Sequence, residues 1–370
     1  MFGSDSEEVR LAERLSREFA RGELERSKEE LERSPFSPGV EEEVYARAWE
    51  LGFFSINLPP ERGGAEEPQP TLCVVLRNMA AADAGFATAV FTHAFACQVL
   101  REVGWEVGAP LEESLSGEEP CPLAFPVFDR PGEVAGKLVA DRSGRAWKLS
   151  GRVEYLVLGD RGHWALLPAR TGTGEVSFFL CPTGGEGWSS GPPLVGLGLR
   201  SCPAVEVELE GVPAELVGAE GMALEAFERA EVLLSPAAAS LCLGIMESSL
   251  REAEEYARRR IQGGWEIINW SEVRMILSSM VVSCRTVEML VEQAVREIGE
   301  GDGTLSSRVS LLVAQDLVRR VTSDGIQLLG GNGYMKDYGQ EKRFRDGHHL
   351  LSLLGHYPLR KLGVLRFSRG

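Results

Sequence analysis

The spacing of apolar residues in the first third of the chain is typical of helices. Over residues 9–19 they recur at roughly helical intervals, and Asp5 or Ser6 just before them can cap the helix. Ser37-Pro38 is a second start signal, because proline suits the first position of a helix. The long apolar and small-residue stretch 71–103 then predicts a pair of buried helices.

The pattern changes near Ser114. From there to about Gly221, turn signals recur at intervals of roughly 8 to 12 residues, with short apolar runs such as 164–167 and 176–180 between them. Residues 205–210 alternate strictly as Val-Glu-Val-Glu-Leu-Glu, which is typical of a strand with one buried face. This middle stretch therefore predicts a small antiparallel β-domain.

From Met222 the helical pattern returns and continues almost to the end of the chain. Apolar residues between Leu241 and Tyr256 predict one long amphipathic helix, and residues 273–298 and 305–329 predict two more. The order is therefore helices, β-domain, helices, with no internal repeat. The predicted domains are residues 1–115, 116–222 and 223–370.

Composition adds that the chain folds around a sizeable core, because 44% of its 370 residues are hydrophobic and 25% are charged. The net charge of -16 argues against a nucleic-acid binder, which needs a basic face. No apolar run reaches roughly 18 residues and no early stretch resembles a signal peptide, so neither a membrane span nor secretion is expected. The seven cysteines are odd in number and lack metal-like spacing, which favours reduced thiols in a cytoplasm and no metal site.

One segment is far more specific than the rest. Residues 327–346 read Gln-Leu-Leu-Gly-Gly-Asn-Gly-Tyr-Met-Lys-Asp-Tyr-Gly-Gln-Glu-Lys-Arg-Phe-Arg-Asp. Glycines in this turn permit positive φ and a close approach of the backbone to a ligand, and exposed N–H groups there suit a pyrophosphate. Gly-Gly-x-Gly alone is at least as typical of a helix C-cap. The full string, however, closely resembles the signature near the C-terminus of acyl-CoA dehydrogenases.

The resemblance extends along the whole chain. Residues 51–64 are similar to a stretch of the family's first domain, and residues 256–264 are similar to the segment after its first C-terminal helix. The resemblance implies an α+β multidomain fold. Its parts are an N-terminal helical domain, a middle β-barrel-like domain and a C-terminal four-helix bundle that mediates assembly.

The resemblance also implies FAD at a subunit boundary. In the family, one chain's β-domain holds the isoalloxazine, while the partner chain's Gln and Gly-Gly loop contacts the adenine end. Gln327, Gly330 and Gly331 would then serve a flavin held mainly by another subunit. Arg260 would reach the pyrophosphate, because its planar guanidinium group can hold two phosphate oxygens. The alternative is that Arg260 is an exposed residue in a solvated run of three arginines. The family's next aromatic residue is replaced by Gly263.

Both places where the family keeps its catalytic base lack a carboxylate. In the family, a glutamate removes the α-proton of an acyl-CoA while hydride passes from the β-carbon to the flavin. Its usual position is Leu354 here, and its alternative position on the first C-terminal helix is Leu234. Glu231 is a weak candidate for a displaced base, against the simpler interpretation of a solvent-facing glutamate. His356, which can titrate near neutral pH, is a spare candidate against a surface or packing role.

The β-domain residues that would contact this chain's own flavin have changed as well. The family's Thr-Glu-Pro-x-Ala-Gly-Ser-Asp run corresponds to residues 126–133, Pro-Val-Phe-Asp-Arg-Pro-Gly-Glu, and its Trp-Ile-Thr-Asn run to residues 155–158, Tyr-Leu-Val-Leu. The threonine hydroxyl that supports the flavin ring is lost, although Tyr155 can still stack on a ring or fill a core position. Groups for a neighbour's adenine and pyrophosphate thus remain, whereas groups for the chain's own isoalloxazine and substrate are replaced.

Three hypotheses follow. The first is a subunit of a homo- or hetero-oligomeric, FAD-dependent acyl-CoA dehydrogenase that helps bind a partner's FAD and has no competent base of its own. The second is a flavoenzyme of the same fold with a relocated base or with altered chemistry, either an elimination or an oxygenation. The third is a flavin-free acyl-CoA-binding or structural subunit. The implied partners are an acyl-CoA thioester, an acyl-CoA dehydrogenase-like subunit and an electron-transfer flavoprotein.

Overall fold

The computed structural model describes residues 6–33, 38–60, 63–104, 121–144 and 146–366. Asp5, Ser37, Glu61, Arg62 and the predicted domain boundary between residues 115 and 116 lie outside these ranges. Along the described chain, helices come first, strands follow, and helices return, so the predicted order of elements is confirmed.

The N-terminal part is helical and is built around two buried helices. The Ser6 hydroxyl accepts a hydrogen bond from the Val9 N–H at 3.3 Å and so caps the first helix, as predicted. The predicted helix pair is also confirmed, and its second helix is buried at every residue of 84–100, which makes it the centre of this part. The helices are α1 (Glu7–Phe19), α2 (Lys28–Arg33), α3 (Pro38–Glu50), α4 (Pro68–Ala82) and α5 (Ala84–Glu102).

The middle part closes into a small barrel. Its elements are a short helix α6 (Pro131–Val134) and the strands β1 (Leu138–Ser143), β2 (Ala146–Val157), β3 (Trp164–Thr171), β4 (Val176–Pro182), β5 (Trp188–Pro193) and β6 (Ala204–Val217). The strand order is β2-β1-β3-β4-β6, and β6 also pairs with β2, so five strands form a closed ring while β5 pairs with β6. Closure removes the exposed edges that an open sheet would have. The predicted β-barrel-like domain is confirmed.

Strand directions correct one detail of the prediction, because the barrel is not purely antiparallel. β1 and β3 are parallel, with Val139 opposite Arg170. The reason is that the chain crosses over β1 between β2 and β3 instead of returning in a tight hairpin. The predicted alternation on β6 is confirmed, since Val205, Val207 and Leu209 are buried and the glutamates between them are not.

The C-terminal part is a helical bundle with one long central helix. Its helices are α7 (Ala223–Arg259), α8 (Ser271–Glu300), α9 (Thr304–Leu329) and α10 (Gln340–His349), followed by α11 (Tyr357–Gly363); the short strands β7 (Ile261–Gln262) and β8 (Trp265–Glu266) form a hairpin after α7. α7 packs against α4, α5, α8 and α9. It is long and apolar enough to cross a membrane, but most of its apolar stretch is buried inside the protein, where it forms the core.

A buried ion-pair cluster joins the three parts. Lys342 Nζ on α10 lies 2.6 Å from Asp346 and 3.2 Å from Asp83, the residue before α5. Asp346 also accepts a hydrogen bond of 2.7 Å from the Leu199 N–H, in the loop before β6. Buried charges need such partners, because desolvation otherwise costs several kcal/mol for each ion. The cluster thus holds α10 against the N-terminal helices and the barrel.

Candidate functional site

Four of the five residues predicted to bind the cofactor line one cleft. Arg260, Gln327, Gly330 and Gly331 surround a cavity of about 760 Å³ between the end of α7, the β7–β8 hairpin, the start of α8 and the turn after α9. This volume lies in the range of small-molecule sites. The fifth residue, Tyr155, lies on β2 and is not among the residues that line the cleft.

The end of α7 gives Arg260 an environment different from that of the two arginines before it. Arg258 and Arg259 lie on the helix and pair with Glu254 and Glu255 at 2.5 and 3.5 Å. Arg260 follows the last helical residue, with extended backbone angles of φ -78° and ψ 120°. Within the described ranges no carboxylate pairs with its guanidinium. Arg260 is therefore separate from the solvated pair and can hold an anion at the edge of the cleft.

The glycines of the turn after α9 have different roles. Gly330 ends the helix with φ 57°, in the left-handed region that favours glycine. Gly333 packs closely, because a Cβ there would lie 2.5 Å from the Ile326 carbonyl oxygen. Gly331 has neither constraint: its φ is not positive, and a Cβ would meet no atom within 4 Å. Its missing side chain leaves space in the cleft, which a ligand close to the backbone requires.

Tyr155 belongs to a second group of side chains, between the barrel and α10. Its ring packs edge-to-face on Phe128 with centroids 5.5 Å apart, and its hydroxyl lies 3.5 Å from His349 Nε2. His349 Nδ1 lies 2.8 Å from the Gly198 carbonyl oxygen, so we assign the proton to Nδ1 and leave Nε2 as the acceptor. Burial lowers the pKa of His349 and raises the pKa of Tyr155, which keeps both groups neutral near pH 7.

His349 was not singled out from the sequence. The adjacent pair His348-His349 is visible there, but both side chains belong to one polar helix. The structure separates them, because His348 bonds the Phe344 carbonyl of its own helix while His349 reaches the barrel. No local spacing reports that difference.

The two positions to which the resemblance assigns the family's base are fully buried leucines. Leu354 has φ 65°, a left-handed conformation that is strained for a bulky residue, and its N–H donates to the Val127 carbonyl at 2.9 Å. Arg130 lies against the next residue, since a Cβ on Gly355 would be 2.5 Å from Arg130 Cγ. Leu234 is enclosed within α7. An aliphatic side chain at either position cannot accept a proton from carbon.

Glu231 is buried, so its interpretation as a solvent-facing glutamate is wrong. Only 2% of it is exposed, and its carboxylate lies 2.9 Å from Arg308 Nη1 and 3.3 Å from Arg130 Nη1. Arg360 also interacts electrostatically with this carboxylate. Burial lowers the pKa of Arg360 to about 10, and the negative charge of Glu231 opposes that effect. Glu231 therefore neutralises a buried group of arginines. The other candidate, His356, is exposed and directly precedes α11.

One further carboxyl near Tyr155 has a perturbed pKa. Burial, followed by repulsion from Glu133, raises the pKa of Asp129 to about 6. The charge of Asp129 also contributes to the raised pKa of Tyr155, so the two groups interact. Carboxyl groups with such values are suited to act as general bases near neutral pH. Sequence comparison missed Asp129 because it lies in the run 126–133, where this chain departs from the family.

Comparison with known proteins agrees with this architecture. The family described as acyl-CoA dehydrogenase, N-terminal domain, matches residues 6–107, and the one described as acyl-CoA dehydrogenase, C-terminal domain, matches residues 215–351. A cyclohexane-1-carbonyl-CoA dehydrogenase of Geobacter metallireducens is 27% identical over 378 residues, covering 98% of this chain and 97% of that protein.

Solved structures show the same fold. Butyryl-CoA dehydrogenase from Megasphaera elsdenii has a TM-score of 0.88 and 19% identity, with 100% of both chains covered. A structure described as the FAD complex of PigA has a TM-score of 0.88 and 18% identity, also with 100% of both chains covered. The arrangement of helices and barrel described above is therefore shared along the entire chain.

Proposed function

This chain belongs to the acyl-CoA dehydrogenase family, and we propose that it is a subunit of an FAD-dependent oligomer in which it completes a partner's FAD site without a competent base of its own. The observation that carries this proposal is the contrast between two regions. Both base positions are fully buried leucines, whereas Arg260, Gln327, Gly330 and Gly331 border an open cleft. We infer that the chain keeps a nucleotide-binding surface but lacks the groups for proton abstraction.

The chemistry supports an incompetent pocket. Oxidation of an acyl thioester needs a group that accepts the α-proton, and that group must lie within hydrogen-bond reach of it. Leu354 and Leu234 have no lone pair, and the oxygens of Glu231 already contact Arg308 and Arg130. The Glu231 carboxylate is thus already engaged by two guanidinium groups, which leaves it poorly placed to reach a substrate.

The cleft fits the nucleotide end of FAD. The Arg260 guanidinium can hold two phosphate oxygens, and the Gln327 amide can both donate to and accept from a nucleotide. Gly331 leaves space for close approach, since a Cβ there would meet nothing. When bound, FAD supplies the acceptor of the hydride. The residues named here hold and orient its adenine and diphosphate, while the partner's barrel holds the ring.

Exposed apolar side chains beside the cleft support an assembly. On α8, Met275, Val282 and Met289 are exposed and recur every seven residues, which places them on one side of the helix. Ile261 on the adjoining hairpin is exposed as well. Exposed apolar groups of this kind mark protein–protein contacts. We propose that a related acyl-CoA dehydrogenase subunit, which supplies the base and holds the flavin ring, covers them. The assembly would act in the cytoplasm on an acyl-CoA thioester and pass its electrons to an electron-transfer flavoprotein.

The test is a visible spectrum of the full chain, purified alone and together with the family member encoded nearest to it. We expect little flavin in the chain alone and a yellow complex when both are expressed, because the ring belongs to the partner. Arg260→Ala should reduce the flavin of the complex, whereas Arg259→Ala, whose guanidinium is already paired with Glu255, should not. A full complement of flavin in the chain alone, bleached by an acyl-CoA, would overturn the proposal.

A second candidate, a flavoenzyme of this fold with a relocated base, is favoured by Asp129 and its raised pKa beside Tyr155. In that case Asp129→Asn would abolish bleaching of bound flavin by an acyl-CoA. The control is Glu154→Gln, which changes an exposed carboxylate on β2 that pairs with Lys137. Stoichiometric flavin that no acyl-CoA bleaches would favour altered chemistry, and co-purified acyl-CoA without flavin would favour a flavin-free subunit.

A further inference from the structure

Arg360 is a buried cation without a carboxylate partner of its own. It lies on α11, only 6% of it is exposed, and its guanidinium donates to the amide oxygen of Gln315. Gln315 is neutral, and its Nε2 donates to the Leu350 carbonyl at 2.6 Å. Within the residues that the structure describes, no Asp or Glu lies within ion-pair distance of Arg360, and its Nε has no hydrogen-bond partner. An unpartnered donor on a buried cation is costly, so this one calls for a ligand.

The groups that interact with Arg360 do not supply the missing negative charge. Glu231 attracts it, but that carboxylate also contacts Arg130, whose positive charge repels Arg360. Burial raises the pKa of the Cys242 thiol to about 12 and raises the pKa of Tyr357 as well, so both groups are uncharged near pH 7. Glu231 is thus shared between two guanidinium groups that repel each other.

Arg130 connects this interior group to the surface. Its side chain is 24% exposed, and its Nη2 lies 3.8 Å from Glu228, a surface carboxylate. Its Nη1 lies 3.3 and 3.5 Å from the two oxygens of Glu231, which is longer than the roughly 2.7 to 2.9 Å of a charge-assisted hydrogen bond. Arg308, by contrast, contacts the same carboxylate at 2.9 Å. The Arg130 guanidinium is therefore loosely engaged, and a second carboxylate can reach it from solvent.

We propose that Arg130 and Arg360, together with Glu231, form a binding site for one carboxylate group of a ligand. A guanidinium group suits a carboxylate, because its planar N–H donors can bond both oxygens. The ligand gives the Nε of Arg360 an acceptor, and its negative charge offsets the repulsion between the two arginines. Buried charges are stable only with such partners.

The position of the site limits where the carboxylate comes from. A Cβ on Gly355, the residue after Leu354, would lie 2.5 Å from Arg130 Cγ, and Glu231 lies about one helical turn before Leu234. The site is therefore beside both positions to which the resemblance assigns a base. The carboxylate is either a free small carboxylate or the far end of an acyl group carried by a thioester. The second source rests on the proposed function, whereas the carboxylate site itself does not.

The test is calorimetric titration of the full chain, in the oligomer in which it purifies, at constant ionic strength. The free ligands are acetate and glutarate, with acetamide as the uncharged counterpart. The thioesters are succinyl-CoA and glutaryl-CoA, with butyryl-CoA and pentanoyl-CoA as uncharged counterparts of the same carbon number. We expect a carboxylate-bearing ligand to bind about tenfold or more tightly than its counterpart.

Arg360→Met should remove this preference, because it deletes the cation and keeps a long apolar side chain. Arg360→Lys should keep part of it, because it retains the charge without the planar donors. The matched control is Lys361→Met, which should bind as the wild type does. Lys361 is the next residue of α11, but it is 63% exposed and lies 3.6 Å from Asp316.

The outcomes identify the source of the carboxylate and separate this inference from the proposed function. Binding of acetate or glutarate identifies a free carboxylate, and a preference confined to the thioesters identifies the acyl group. Carboxylates that bind no more tightly than their counterparts overturn the inference, and so does a preference that survives in Arg360→Met. If size-exclusion chromatography shows that Arg360→Met does not fold, Arg130→Met and the wild-type series decide in the same way. Flavin content judges the proposed function separately: a full complement in the chain alone ends that function and leaves the carboxylate site intact.

Discussion

Replacing Glu231 by glutamine tests whether this carboxylate neutralises arginines or removes protons. The change keeps the size of the side chain but leaves the Arg308 and Arg130 guanidinium groups facing a neutral amide. The side chains of Arg308 and Glu231 are only 10% and 3% exposed, so water screens their interaction little. Removing one partner of a buried pair costs about 3–5 kcal/mol. We expect about 3 kcal/mol, the lower end of that range, because the amide oxygen still accepts one hydrogen bond.

The measurement is urea denaturation of the wild type and the variant at one protein concentration, because assembly makes the apparent stability depend on concentration. Glu228→Gln is the matched control: this exposed carboxylate one turn earlier lies 3.8 Å from Arg130, and its loss should cost less than about 1 kcal/mol. A displaced base predicts the reverse, with near-native stability and loss of flavin bleaching by an acyl-CoA. An unchanged urea midpoint in Glu231→Gln would refute the ion-pair interpretation.

Three further changes address the cleft and the core. Arg260→Ala should lower flavin absorbance per chain in the assembled complex several-fold, while Arg259→Ala leaves it unchanged; equal losses would contradict the different environments of the two arginines. Gly331→Ala should lower flavin content without changing the melting temperature, whereas Gly333→Ala should destabilise the chain by about 1–3 kcal/mol, because its Cβ would meet a backbone carbonyl. Burial lowers the pKa of His93 to about 4, below the unfolded value of about 6.5, so the unfolded chain binds an extra proton between these values. Stability should therefore fall by up to about 3 kcal/mol as the pH drops through that window, and His93→Gln, followed by urea denaturation at each pH, should lose this dependence.

The order of elements could be predicted because its signals are local. A serine before an apolar helical repeat predicts a cap, and the Ser6 hydroxyl does accept from the Val9 N–H. Apolar alternation reports which face of a strand is buried, and β6 follows it. Alternation does not report the direction of the neighbouring strand, so the parallel pair of β1 and β3 could not be predicted from it.

The surroundings of the candidate site depend on contacts between distant parts of the chain, which periodicity does not report. Glu231 was expected to face solvent, yet Arg130 from the start of α6 and Arg308 from α9 meet it in the interior. Trp270 and Gly263 lie on different elements, and only the folded chain shows that one ring fills the space beside the other. The cleft, by contrast, could be located from the resemblance to the family. Three of its residues, Gln327, Gly330 and Gly331, lie in one continuous stretch of sequence.

Two leucines with strained backbones bear on the proposed loss of chemistry at the site. Leu158 and Leu354 have φ of 63° and 65°, conformations that cost leucine about 1–3 kcal/mol and persist only where the surroundings impose them. Their N–H groups donate to the carbonyls of Pro203 at 2.8 Å and Val127 at 2.9 Å, so the barrel imposes both. By the resemblance, Leu158 stands at the position of an asparagine of the family, a residue that tolerates this backbone, and Leu354 at the position of its glutamate. Under the proposed function, this backbone would let the subunit present a correctly shaped surface to its partner without the side chains that the reaction uses.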